Sequence, residues 1–243
     1  MTGEPQTAPK QHLSRKVLRD DVYDTLLEML LDSSVPAGSP LSIDGLARQL
    51  GVSPTPVREA LVQLEHTGLV SRAALKGYRV APPLSSGQMA ELVDARMVVE
   101  LAAMERAAGR AAEVVPSLRA AHARHAGIIA EMGALGNSDA NRTAASMRRY
   151  FDADWGFHTV IMQSSGNRYL LQMLEGLGTH VHRLRQAVGH GISDAEVALH
   201  EHAEILYALE SGEPQGAVEA MRRHLQGVRH RAVADEGGSD PTV

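Results

Sequence analysis

The chain has 243 residues, 44% of them hydrophobic but only 3% aromatic, and it has no cysteine. A core built from Ala, Leu, Val, Ile and Met favours helices over β-sandwiches, and the missing thiols exclude a disulfide scaffold, a thiolate metal site and a cysteine nucleophile. The formal net charge of −5 argues against non-specific coating of nucleic acid, which rests on phosphate neutralisation.

Charge is unevenly spread. Residues 1–84 carry nine Lys/Arg and nine Asp/Glu, so the acidic excess lies wholly in the C-terminal part. Residues 71–80 hold Arg72, Lys76 and Arg79 and no acid, a basic patch within an acidic protein. No apolar run of 18 or more residues and no signal-peptide pattern is present, so a soluble, cytoplasmic chain is expected.

Residues 1–13 are polar and aperiodic and read as a disordered leader. A helix is predicted over about 14–32, with Val17, Val22, Leu26, Leu27, Leu30 and Leu31 at helical spacing. The Pro- and Gly-containing run 35–40 stops it and makes a turn. Two short helices follow at 42–50 and 54–67, then β-prone segments at 69–73 and 77–81 that form a small hairpin around Lys76-Gly77. Pro82-Pro83 marks the end of a domain spanning 14–82. From 85 to 233 the pattern is all helical. Six helices are predicted at 86–110, 115–133, 140–164, 168–188, 194–211 and 214–232, separated by Gly, Pro and Asn clusters. Residues 235–243 read as a frayed tail. The expected fold is mainly α: an N-terminal winged helix-turn-helix followed by a six-helix bundle.

Residues 43–62 carry the helix-turn-helix. Ala47 sits where two helices would cross, and Gly51 supplies the positive φ of the turn. Leu46, Leu50, Val52, Val57 and Ala60 occupy packing positions. Ser53 can cap the second helix and Pro54 suits its first turn. Ser53, Thr55, Pro56 and Arg58 then lie at the exposed N-terminal end of that helix, the end that enters the major groove in such motifs. Arg58 and Thr55 can reach a base edge or a phosphate. In the hairpin, Arg72, Lys76 and Arg79 flank Gly77, whose missing side chain permits close approach to DNA.

Three C-terminal helices each turn ionisable groups toward an apolar stripe. Phe151, Asp154, Trp155, His158, Ile161 and Met162 share one face; Leu199, His202, Leu206 and Leu209 a second; Ala217, Met221, His224 and Val228 a third. His200 points elsewhere, alongside Glu204. A buried unpaired carboxylate is costly. A cation relieves that cost, and three imidazoles with one carboxylate suit Zn²⁺ or Ni²⁺, with Mn²⁺ and Fe²⁺ as alternatives. For any one of the twelve histidines, the plainer reading is a hydrogen-bonded core residue. His122, His125 and His180 also fall near apolar stripes.

The run Leu46-Ala47 … Leu50-Gly51-Val52-Ser53-Pro54-Thr55-Pro56-Val57-Arg58-Glu59-Ala60-Leu61 … Leu64 … Gly68-Leu69-Val70 resembles the signature of GntR-type regulators. The later stretch resembles the FCD effector domain of the FadR subfamily through Asp94-Ala95-Arg96, Glu100, Asp154 to His158, Ser165-Gly166-Asn167, His202 and His224. Six helices rather than seven look more like the VanR branch. The resemblance implies a transcription regulator, in most cases a repressor, that binds a palindromic double-stranded operator as a homodimer. It implies a metal on Asp154, His158, His202 and His224, with His180 either supporting one of these ligands or substituting for it. It also implies a small carboxylate effector held near the metal, for which Arg96 is the candidate partner. Arg96 could equally form a surface salt bridge with Asp94 or Glu100. Met97 and Met173 are candidate cavity residues, or plain core. The alternative from another class is a metal-dependent enzyme using the Asp/His₃ set to activate water.

Overall fold

The computed structural model describes residues 15–31, 34–73, 77–134, 144–187 and 194–234. The N-terminal unit comprises α1 (Arg15–Leu31), β1 (Pro40–Leu41), α2 (Ile43–Leu50), α3 (Pro54–His66), β2 (Val70–Ala73) and β3 (Gly77–Val80). Val22, Leu26, Leu27 and Leu30 of α1 pack against Leu46, Ala47, Val57, Ala60, Leu61 and Leu64, closing one apolar core over both helices of the turn motif. Ser42 caps α2 by accepting from the Gly45 amide, and Gly51 ends it at φ 67°, the left-handed conformation that the turn requires.

The sheet has the order β1-β3-β2, both pairs antiparallel. β2 and β3 form the predicted hairpin, with Ala73 opposite Gly77. β1 is a correction to the sequence reading, which treated 35–40 as turn only. Two residues are too few to show a period of two, and Pro40 suits an edge strand because it has no amide to donate.

The C-terminal unit comprises α4 (Ser86–Ala108), α5 (Ala111–Ala134), α6 (Ala144–Ser164), α7 (Arg168–Ala187), α8 (Ala195–Glu210) and α9 (Pro214–Ala234). A capping box at Ser85 and Gln88 starts α4 directly after the Pro82-Pro83 break. The expected six helices are present. One boundary moves: α5 begins at Ala111, and Pro116 lies inside it rather than before it. Pro116 removes a single hydrogen bond near the helix start, where buried Val114 and Leu118 hold the first turns against the core. That core joins Met104, Leu118, Phe157, Ile161, Ile205, Met221 and Leu225, drawing on α4, α5, α6, α8 and α9. None of the described helices is long and apolar enough to cross a membrane. The leader, the tail and residues 140–143 lie outside the described residues.

Candidate functional site

The first site is the face formed by α3 and the wing. Ser53 occupies the N-cap position in extended conformation, but its hydroxyl accepts no capping bond. The reason is local: Pro54 and Pro56 fill the first and third helical positions, so the third-position amide that a capping oxygen usually takes does not exist. The Ser53 hydroxyl is left facing outward. Thr55 and Arg58 are exposed beside it, as expected. Pro56 is a correction, for it is buried with Val57, Ala60, Leu61 and Leu64. Its i, i+4 relation to Ala60 puts it on the packing stripe, so its side chain offers no surface to DNA.

Arg58 and Arg72 line one open groove between α3 and the wing, together with Ser42, Val62, Gly77 and Tyr78. The Arg72 guanidinium carbon sits 5.7 Å from the centre of the Tyr78 ring, which orients the cation. Gly77 has φ 73°, so an L side chain there would be strained. Arg79 donates from Nη1 to the Gly38 carbonyl at 2.8 Å and ties the sheet to the turn before β1. Lys76 lies outside the described residues.

The second site is inside the helical bundle. His158 on α6, His202 on α8 and His224 on α9 are all buried. They bring one ring nitrogen each within 4.8 Å of the others. The Nε2 atoms of His158 and His202 are 3.3 Å apart. The ring of His202 stacks on Phe157, with centroids 4.0 Å apart and planes inclined by 6°, so packing fixes its orientation. Asp154 Oδ1 lies 3.8 Å from His202 Nε2. Asp154 forms a second close group with His202 and His125.

Carboxylates set the tautomers. His158 Nδ1 lies 2.6 Å from Glu100 Oε2, and His224 Nδ1 lies 2.7 Å from Glu201 Oε2. An imidazole that donates from Nδ1 presents the Nε2 lone pair, the form a metal needs. Each carboxylate is itself held by an arginine. Arg96 Nε reaches Glu100 Oε1 at 2.7 Å, and Arg231 bonds both oxygens of Glu201 at 2.9 Å. Burial works to raise the Glu100 pKa, but Arg96 and His158 outweigh it and hold this carboxyl well below the usual range. Burial likewise opposes ionisation of Glu201, yet hydrogen bonds from His224 and Arg231 bring it down to about 2. Desolvation lowers His202 far below the ordinary histidine value, helped by the neighbouring imidazoles, and it lowers His224 and His125 as well. Burial thus favours the neutral form of these three rings.

Nδ1 of His202, Nε2 of His224 and both ring nitrogens of His125 are buried with no hydrogen-bond partner among the described residues. Leaving so many polar atoms dry costs about 1–3 kcal/mol each. Imidazoles and a carboxylate brought this close together, beside buried ring nitrogens without partners among the described residues, form a donor set that fits a divalent metal.

Arg96 pairs with Glu100, one of its two expected partners, but the pair is buried rather than on the surface, and its guanidinium lies 5.5 Å from the centre of the Trp155 ring. Asp94 pairs instead with Arg229. Met173 is exposed at 57% and lines no interior, while Met97 packs against the core. His200 faces solvent near Glu204, as predicted. His122 approaches the Leu199 carbonyl at 3.2 Å as a core histidine would. The side chain of His180 lies outside the described residues. The sequence reading did not single out His125 from its neighbours, nor Glu201 and Arg231. Glu201 adjoins His202 in sequence, so only the α8–α9 packing reveals that it serves His224.

Comparisons with known proteins identify both units of the chain. The model for bacterial regulatory proteins of the gntR family matches residues 18–80, and the FCD domain model matches residues 91–227. A Paenarthrobacter nicotinovorans protein named "Probable D-xylose utilization operon transcriptional repressor" is 28% identical over 97% of this chain and 98% of its own length. The repressor RspR of Escherichia coli K12 is 26% identical over 93% of this chain and 91% of its own. Among solved structures, E. coli McbR/YncC matches with a TM-score of 0.67 and 22% identity, covering 90% of this chain and 98% of that one. The cluster therefore belongs to a regulator and not to an enzyme. The chain is a member of the GntR family of bacterial transcription regulators, with a DNA-binding winged helix followed by an effector-binding FCD domain.

Proposed function

We propose that this protein is a metal-dependent, ligand-responsive repressor that binds a palindromic operator as a homodimer. The observation that carries the reading is the convergence of three buried imidazoles from three helices, two of which have a ring nitrogen with no partner among the described residues, in the domain that follows a winged helix. The relatives named as repressors support the direction of control. The DNA-binding unit spans 14–82 and the effector unit 85–233, and the protein works in the cytoplasm, where a bacterial operator is found.

On DNA, Arg58 and Thr55 read bases from the start of α3, and Ser53 and Arg72 hold phosphates. Lys76 and Gly77 bring the wing tip to the backbone. In the bundle, Asp154, His158, His202 and His224 hold a divalent metal, Zn²⁺ first, with Ni²⁺, Mn²⁺ and Fe²⁺ as alternatives. When bound, the metal supplies a positive centre for a small organic acid. Glu100 and Glu201 keep His158 and His224 in the binding tautomer. Arg96 anchors Glu100 through Nε and is the candidate partner of the effector carboxylate. Effector binding biases the placement of the two winged helices and so changes operator affinity.

The test combines native mass spectrometry of protein purified without chelator with fluorescence anisotropy on a palindromic duplex. One divalent ion per chain, a dimer, and operator affinity that changes when small carboxylic acids are added would support the reading. A metal-free protein with unaltered operator affinity after adding Zn²⁺, Ni²⁺ or Mn²⁺ would overturn it.

A further inference from the structure

His125 on α5 is fully buried, and neither ring nitrogen has a hydrogen-bond partner among the described residues. Its surroundings are rings: Tyr150 at 5.0 Å and His202 at 5.4 Å between centroids. A core histidine normally bonds at least one nitrogen, as His122 does three residues earlier on the same helix. A leucine at 125 would pack without the penalty of two dry polar atoms. The position therefore points to a polar partner that neither nitrogen finds among the described residues.

Two groups of potential ligands share His202. One is His158, His202 and His224; the other is His125, Asp154 and His202. Local charge decides how many ions the pair of groups can hold. Glu100 pairs with Arg96, and Glu201 shares Arg231 with Asp194, so among the described residues Asp154 is the one carboxylate of the cluster without an arginine partner. A single uncompensated carboxylate balances one dication better than two held side by side.

We propose that His125, Asp154 and His202 form an alternative seat for the same divalent ion, overlapping the His158–His202–His224 seat and occupied in place of it. The proposal rests on the metal reading above. Asp154 and His202 are common to both positions in that reading, so the ion moves by exchanging His158 and His224 for His125. The two seats engage different helices: α6, α8 and α9 in one, α5, α6 and α8 in the other. Moving the ion thus changes which helix is tied to the cluster, and α5 is the helix gained.

The test uses the full-length protein and Co²⁺ and Zn²⁺ as probes, with affinity measured by chelator competition and imidazole number by X-ray absorption. H224L should weaken binding but keep one ion per chain. Adding H125L in that background should weaken it by about 10-fold or more and lower the imidazole count by one. Circular dichroism of the metal-free variants checks their fold, and H125Q replaces H125L if the latter does not fold. If H125L and H125Q leave both affinity and imidazole count unchanged in the wild-type and H224L backgrounds, the alternative seat does not exist, while the first seat stands. If the wild-type protein binds neither ion, the metal reading itself falls, and the alternative seat falls with it.

Discussion

Glu100 Oε2 lies 2.6 Å from His158 Nδ1, so a carboxylate on α4 fixes the proton of an imidazole 58 residues away on α6. The same carboxylate accepts from Arg96 one turn before it. Arginine, carboxylate and imidazole thus form a chain that ends at His158 Nε2, the nitrogen turned toward His202. An equivalent chain, Arg231–Glu201–His224, approaches from the other side.

Glu100→Gln should break the first chain at its centre. A carboxamide that turns its NH₂ toward His158 Nδ1 makes that nitrogen an acceptor and moves the ring proton to Nε2, where it blocks coordination. Metal affinity should fall about 10- to 100-fold. Arg96 also loses its buried counter-charge, so the metal-free protein should be less stable by up to about 3–5 kcal/mol. Glu100→Asp keeps the charge and should recover part of both. Competition titrations and urea unfolding of the three proteins check this; equal affinities in all three would show that Glu100 does not control the tautomer.

The two arginines of the DNA face should separate in a salt series. Arg58→Ala should cost about 1–3 kcal/mol on the operator and little on random duplex, because the partner proposed for it is a base edge. Arg72→Ala should weaken binding to both duplexes and lower the salt slope by about 1, because the partner proposed for it is a phosphate. Anisotropy titrations between low and moderate salt make the distinction. A specific loss for Arg72 and a uniform one for Arg58 would exchange their roles.

Much of this face is legible in the sequence, because each residue acts through its own backbone or through neighbours three and four positions away. Gly51 announces a left-handed turn and Pro54 a helix start. The alternation of buried and exposed residues around Arg58 follows helical spacing. Pro56 is misplaced only because its proximity to the helix start suggested exposure, whereas its register with Ala60 turns it inward. The histidines are legible in the same way, each lying on an apolar stripe. What holds them is not. Glu100 and Glu201 find their imidazoles across helix interfaces, and no local spacing encodes which helices meet. Arg96 shows the limit clearly. Its two candidate partners were Asp94 and Glu100; the i+4 geometry selects Glu100, and Asp94 turns to Arg229 on α9.

The metal-free protein should lose stability as pH falls through the histidine range. Burial lowers the folded-state pKa of His202, His224 and His125 below the unfolded value of about 6.5. Below that value the unfolded chain takes up protons that the folded chain does not, so stability is fully present above it and lost below it. Each such group contributes up to about 1.4 kcal/mol per pH unit. Glu100 and Glu201, whose folded values are also lowered, add a loss in the same direction below the ordinary carboxylate range. Urea midpoints of chelator-treated protein should be flat from pH 7.5 to 8.5 and fall steadily from 6.5 to 5.5. A midpoint that rises on acidification would mean that these imidazoles are protonated in the fold.

Gly227 offers a test in which stability and metal binding part company. It lies on α9 one turn before Arg231, and a Cβ built there would sit 2.8 Å from Glu201 Oε1 and 2.9 Å from Arg231 Nη1. The glycine leaves room for the ion pair that holds His224. Gly227→Ala raises helix propensity by about 1 kcal/mol, and the two atoms it meets are ends of long side chains that can swing aside. The metal-free protein should therefore be no less stable than wild type. The displaced Glu201 no longer fixes the His224 tautomer, so metal affinity should drop by about 10-fold. A variant that gains stability and loses metal would separate positioning of His224 from support of the fold. A variant that binds metal as tightly as wild type would show that His224 keeps its orientation without the α8 carboxylate.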